Sequence, residues 1–122
     1  MKIKRIHFVG IKGVGMTPLA IIAKKAGITV TGSDIDEEFI TDEALKKAKI
    51  TVFNSFSKDH IKNAQLLITT GAHGGYENAE VIAAKEQNIP ILTQGQAVGE
   101  FMRGSILGRE FKIGRASCRE RV

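Results

Sequence analysis

The chain has 122 residues, 43% hydrophobic and 25% charged, with a formal net charge of +5 and one cysteine, Cys118. That balance fits one soluble globular domain and argues against whole-chain disorder, a disulfide framework or a membrane helix, since no apolar run nears the roughly 18 residues a span requires. The basic excess does not point to nucleic acid: Lys112, Arg115, Arg119 and Arg121 crowd into the last stretch beside one acid, Glu120, and leave the rest near neutrality.

From the N-terminus, MKIKRI is basic, but the apolar run after it is broken by glycine and lysine. It makes a poor signal-peptide core, and the cytoplasm is the expected compartment. A first strand rises through Ile6, Phe8 and Val9 into GIKGVG. A helix is expected from about Val14 to Ala26, where Met16, Leu19, Ala20, Ile22 and Ala23 recur at helical spacing. Pro18 falls in its first turns, where a missing N–H costs least, and Gly27 ends it. ITVTG (28–32) reads as a second strand. DEEFITDEALKKAKI follows as a helix, with Phe39, Ala44, Leu45 and Ala48 on one face and acids toward its N-terminus. ITVF (50–53) is a third strand, SKDHIKNA (57–64) a short helix capped by Ser57, and QLLITT (65–70) a fourth, doubly buried strand. ENAEVIAAKEQN (77–88) is a helix offering Ala79, Val81, Ile82 and Ala83 for packing. IPIL (89–92) is a fifth strand, and GQAVGEFMRG closes as a helix ended by Gly104.

Strands separated by crossover helices imply right-handed parallel connections, hence an α/β, doubly wound, mainly parallel five-stranded Rossmann-like sheet. Ligands of such sheets sit outside the carboxyl ends of the strands, which selects the loops at 10–16, 32–36, 54–57, 70–76 and 93–95. In the first, Gly10, Gly13 and Gly15 open a helix N-terminus, where unpaired amides and the helix dipole suit a phosphate. The spacing is G-x-x-G-x-G rather than the nicotinamide-type G-x-G-x-x-G, so it supports a diphosphate without specifying a nucleotide. Lys12 either adds a cation there or points into solvent. Asp34, at the end of the second strand, stands where an acid commonly accepts from a ribose or base, and Ser33 can donate to the same ligand. A helix-capping role for the pair is compatible with that. Thr69 and Thr70 end a buried strand before a glycine-rich turn containing His73, which has no nucleophile in triad context. His7, in the first strand, and His60, on a helix, lack paired ligand spacing, so no metal site is expected.

Residues 112–122 show no apolar period and match one reading frame of a common sequencing adapter that runs into a stop. They are expected to be a non-native tail joined to a natural chain cut near Phe111 or Lys112, the alternative being a native disordered basic tail.

Four stretches in order, IHFVGIKGVGMTPLA, VTGSD, ITTGAH and AAKEQNIPILTQGQAVGEFM, resemble the N-terminal domain of the Mur ligases over residues 3–104. The resemblance implies a UDP-sugar-binding domain at 1–104, with 105–111 beginning a linker toward an ATPase domain. It implies that Gly10, Ile11, Lys12, Gly13, Val14, Gly15 and Met16 contact the diphosphate of UDP-N-acetylmuramate. Ser33 and Asp34 would meet the uridine end, and Thr69, Thr70, Gly71, Ala72 and His73 the rest of the UDP moiety. The whole protein would be a peptidoglycan-synthesis ligase using ATP and Mg²⁺ to phosphorylate the sugar's carboxylate, which the amine of L-alanine then attacks. A relative attaching recycled murein tripeptide shares the layout and is the alternative. Lys12 departs from the glycine common in the family. No G-x-x-x-x-G-K-[ST] loop occurs here, so no catalytic residue or cofactor is expected within this stretch, and ligation is not expected from it alone. No nucleic-acid or membrane partner is expected. A nicotinamide-dependent oxidoreductase domain and a regulatory nucleotide-sensing domain ending near 104 are the rival readings.

Overall fold

The computed structural model describes residues 3–71, 77–104 and 106. Strands β1 (Arg5–Val9), β2 (Thr29–Ser33), β3 (Thr51–Phe53), β4 (Leu66–Thr69) and β5 (Ile91–Thr93) form one sheet in the order β3-β2-β1-β4-β5, all parallel. The chain winds outward from β1 through β2 to β3, then restarts on the other flank at β4. The topological switch point therefore lies between β1 and β4. Register places Val9 beside Ser33 and Thr69, so the carboxyl ends of the three central strands finish level.

Helices α1 (Met16–Lys25), α2 (Asp42–Lys47) and α3 (Ala79–Glu86), with a 3-10 turn at Lys58–Ile61, make the crossovers, and α4 (Gln94–Arg103) follows β5. Alternate residues of β1 face opposite layers. Ile6 and Phe8 join Leu19, Ala23, Ile68 and Phe101 in one core, and Val9 joins Ile61, Leu67, Val81 and Ala84 in the other. All four residues of β4 are buried, as its continuous apolar run requires. Ser57 caps the 3-10 turn by accepting from the Asp59 amide. Thr93 and Gln96 form a capping box on α4, which ends at Gly104 with φ of 81°.

Three local expectations need correction. The helix expected over 36–50 is only Asp42–Lys47, because the preceding carbonyls have other partners. The buried Lys12 ammonium lies 2.8 Å from the Glu37 carbonyl and 3.5 Å from that of Ile35, and is seated 5.4 Å over the Phe39 ring. The helix expected from Val14 starts at Met16, with Gly15 at its cap and Pro18 third. On α3, Ala79 and Ile82 are exposed, while Val81, Ala83, Ala84 and the carboxylate of Glu80 are buried. The expectations for Ala72, His73 and the tail at 112–122 lie outside the described residues.

Candidate functional site

The glycine loop leaves β1 at the switch point and folds back on the end of β2. Gly10 turns it with φ of 82°, a conformation costly for any residue carrying a Cβ. The amides of Gly10 and Ile11 both donate to the Ser33 carbonyl, at 2.8 and 3.2 Å, and the Gly13 amide donates to the Gly10 carbonyl at 3.1 Å. Thr17 donates its hydroxyl to the Ile11 carbonyl at 2.8 Å. Ile11 and Met16 are core side chains, so only their backbone borders the loop. Among the described residues, no protein acceptor takes the amides of Val14 and Gly15 at the mouth of α1.

A Cβ on Gly15 would overlap the side-chain amide of Gln94, the first residue of α4, whose flexible end would have to turn aside. A Cβ on Gly13 would sit at ordinary contact distance, 3.4 Å from the Gly10 carbonyl oxygen and 3.7 Å from Met16 Cγ. Gly15→Ala, which asks only the end of the Gln94 side chain to move, and Gly13→Ala, which fits as it stands, are each expected to change folding stability by less than about 1 kcal/mol, as measured by urea unfolding.

Asp34 is buried and aimed at the loop. Its Oδ2 accepts from the Lys12 amide at 2.9 Å and its Oδ1 from the Ile35 amide at 2.8 Å. Lys12 does not extend into solvent. Its ammonium is 3.5 Å from an Asp42 carboxylate oxygen, and its carbonyl accepts the Thr41 hydroxyl at 2.6 Å. Loop and β2–α2 connection are thus laced together. Thr69 is buried, with its hydroxyl donating to the Thr70 carbonyl at 3.1 Å; Thr70 is half-buried and Gly71 exposed. Gly10, Ser33, Asp34, Thr69 and Thr70 therefore gather along one edge, at the carboxyl ends of β1, β2 and β4.

Sequence reasoning missed a polar cluster directly behind Ser33. Glu80, fully buried on α3, accepts from His7 Nε2 at 2.9 Å on one oxygen. Its other oxygen accepts from the Ser33 hydroxyl at 2.7 Å, His60 Nδ1 at 2.7 Å and the Ser57 amide at 3.1 Å. Burial alone would push this carboxyl up. The hydrogen bond and attraction of His7, joined by Ser33 and Ser57, outweigh burial and hold it below its ordinary value. The available signal was a glutamate three and four residues before Ala83 and Ala84, on the helix face that packs inward.

A family model described as "Mur ligase family, catalytic domain" matches residues 5–105. The chain belongs to the Mur ligase family. It is 46% identical over 99 residues to the UDP-N-acetylmuramate–L-alanine ligase of Desulfitobacterium hafniense (strain Y51), covering 80% of this chain and 21% of that protein. Among solved Mur ligase structures, the UDP-N-acetylmuramate–alanine ligase of Thermotoga maritima aligns with TM-score 0.67 and 36% identity, over 74% of this chain and 20% of that one. A murein peptide ligase from Psychrobacter arcticus aligns with TM-score 0.71 and 26% identity, over 84% of this chain and 21% of that one. The chain thus spans about a fifth of the length of these Mur ligases, and it corresponds to their N-terminal domain.

Proposed function

We propose that the chain is the UDP-N-acetylmuramate-recognition domain of a ligase that adds L-alanine to that nucleotide sugar in peptidoglycan synthesis. ATP and Mg²⁺ would be held by parts of the full-length enzyme outside this stretch. The observation that carries the reading is the pair of amides, Val14 and Gly15, that no described residue claims, at a helix N-terminus on the switch point of a Mur ligase sheet. Unpaired amides and the positive end of the helix dipole stabilise a diphosphate there. Ser33 and Asp34 serve the site by holding the loop in shape. A cleft of about 460 Å³, lined by Lys12, Asp36, Asp42, Val52 and Asn54 among others, adjoins the ends of β2 and β3, and its size suits the nucleoside end.

Calorimetric titration of the chain tests the reading. UDP-N-acetylmuramate is expected to bind and NADH is not; NADH binding in its place would favour the oxidoreductase alternative. Gly13→Ala, whose Cβ the fold accommodates, is expected to weaken UDP-N-acetylmuramate by about tenfold, because the methyl intrudes on the approach to bare backbone. Undiminished affinity in that variant would place the ligand elsewhere. The similarity to the murein peptide ligase of Psychrobacter arcticus keeps recycled tripeptide as the second reading for the acceptor. Product formation by the full-length enzyme, offered ATP with either L-alanine or the tripeptide, decides between them.

A further inference from the structure

We propose that Glu80 is a positioning residue for the glycine loop: its carboxylate fixes Ser33, and Ser33 fixes the amides of Gly10 and Ile11. The inference rests on the nucleotide-sugar reading of that loop. Glu80 gathers four donors from separate elements: His7 on β1, Ser33 on β2, Ser57 before the 3-10 turn and His60 within it. Both histidines are themselves held. His7 Nδ1 lies 2.7 Å from the Thr31 hydroxyl, and the His60 ring stacks on Phe53 with centroids 4.0 Å apart and planes at 6°. Glu80 is anchored by its own backbone, whose amide donates to the Asn78 cap at 2.9 Å.

Ser33 is the joint between the two halves of the site. Its hydroxyl donates into Glu80 while its carbonyl receives the first two amides of the glycine loop. A displacement of the side chain therefore reaches the loop through a single residue. An apolar side chain of similar volume would fill the place of Glu80 with no desolvation cost, so a buried carboxylate is a poor route to stability alone. Direction is what it adds: two oxygens set the positions of four donors, and one of those donors carries the loop. The geometry also places a proton on Nε2 of His7 and on Nδ1 of His60, since both nitrogens face the carboxylate.

Amide exchange read by NMR on the whole chain tests this, with Leu67 and Ile68 of β4 as the reference for global opening. Glu80→Gln is expected to speed exchange at Gly10 and Ile11 about tenfold relative to that reference, and to lower UDP-N-acetylmuramate affinity by a similar factor. Ser33→Ala is expected to act in the same direction by about threefold. Thr31→Val cuts the outer partner of His7 but leaves Glu80–Ser33 intact, so loop exchange should stay at the wild-type rate. Imidazole ¹⁵N shifts of the wild type should report a proton on each of those two nitrogens. If Glu80→Gln does not fold, the contrast between Ser33→Ala and Thr31→Val decides the matter. Unchanged loop exchange in Ser33→Ala, equal acceleration in Thr31→Val, or an unprotonated His7 Nε2 or His60 Nδ1 would overturn the proposal. A wild-type chain that shows this exchange pattern but does not bind the nucleotide sugar would overturn the functional reading and leave the tie standing.

Discussion

Glu80→Gln is expected to cost about 3 kcal/mol of folding stability at pH 7, measured by urea unfolding, because it leaves buried donors facing an amide that cannot satisfy them. The loss should depend on pH in a definite direction. In the folded chain the carboxyl is held below its ordinary value, so on acidification the unfolded chain takes up this proton first. Its contribution is complete above the ordinary carboxylate range, erodes as pH falls through that range, and is gone below the folded-state value. The gap between wild type and variant should narrow over that interval. A gap that stays constant down to pH 3 would show that the carboxylate's charge is not its source.

Asp34→Ala is expected to weaken UDP-N-acetylmuramate by about thirtyfold, roughly 2 kcal/mol, in a calorimetric titration. The buried carboxylate accepts from the Lys12 and Ile35 amides at 2.9 and 2.8 Å, one oxygen for each. Its removal orphans both donors and frees the middle of the glycine loop from β2. Asp34→Asn keeps one carbonyl acceptor and should recover part of the loss. A natively folded Asp34→Ala chain with full affinity would separate the loop's shape from ligand recognition.

Much of this architecture is legible in one dimension. Ile6, Phe8 and Val9 before Gly10, the apolar centre of QLLITT and the glycines closing α1 and α4 report local preferences that the fold follows. The parallel order follows from the crossovers, and with it the edge where Gly10, Ser33, Asp34, Thr69 and Thr70 meet. The helix over 36–50 was over-read because its helical pattern carries no sign that Lys12, more than twenty residues upstream, claims the carbonyls at its start. Glu80 was passed over for a similar reason: its partners come from positions 7, 33, 57 and 60, and no spacing rule joins them.

The sequence by itself determined the parallel α/β frame, the family and the loop at the switch point, because periodicity, capping and glycine placement act over a few residues. Only the tertiary structure decided which loop amides no described residue claims, that Gln94 packs its side chain against Gly15, and that one buried carboxylate stands behind Ser33. Those outcomes depend on which polar groups meet once water is excluded, and burial makes each such group find a partner from whatever part of the chain the fold brings near.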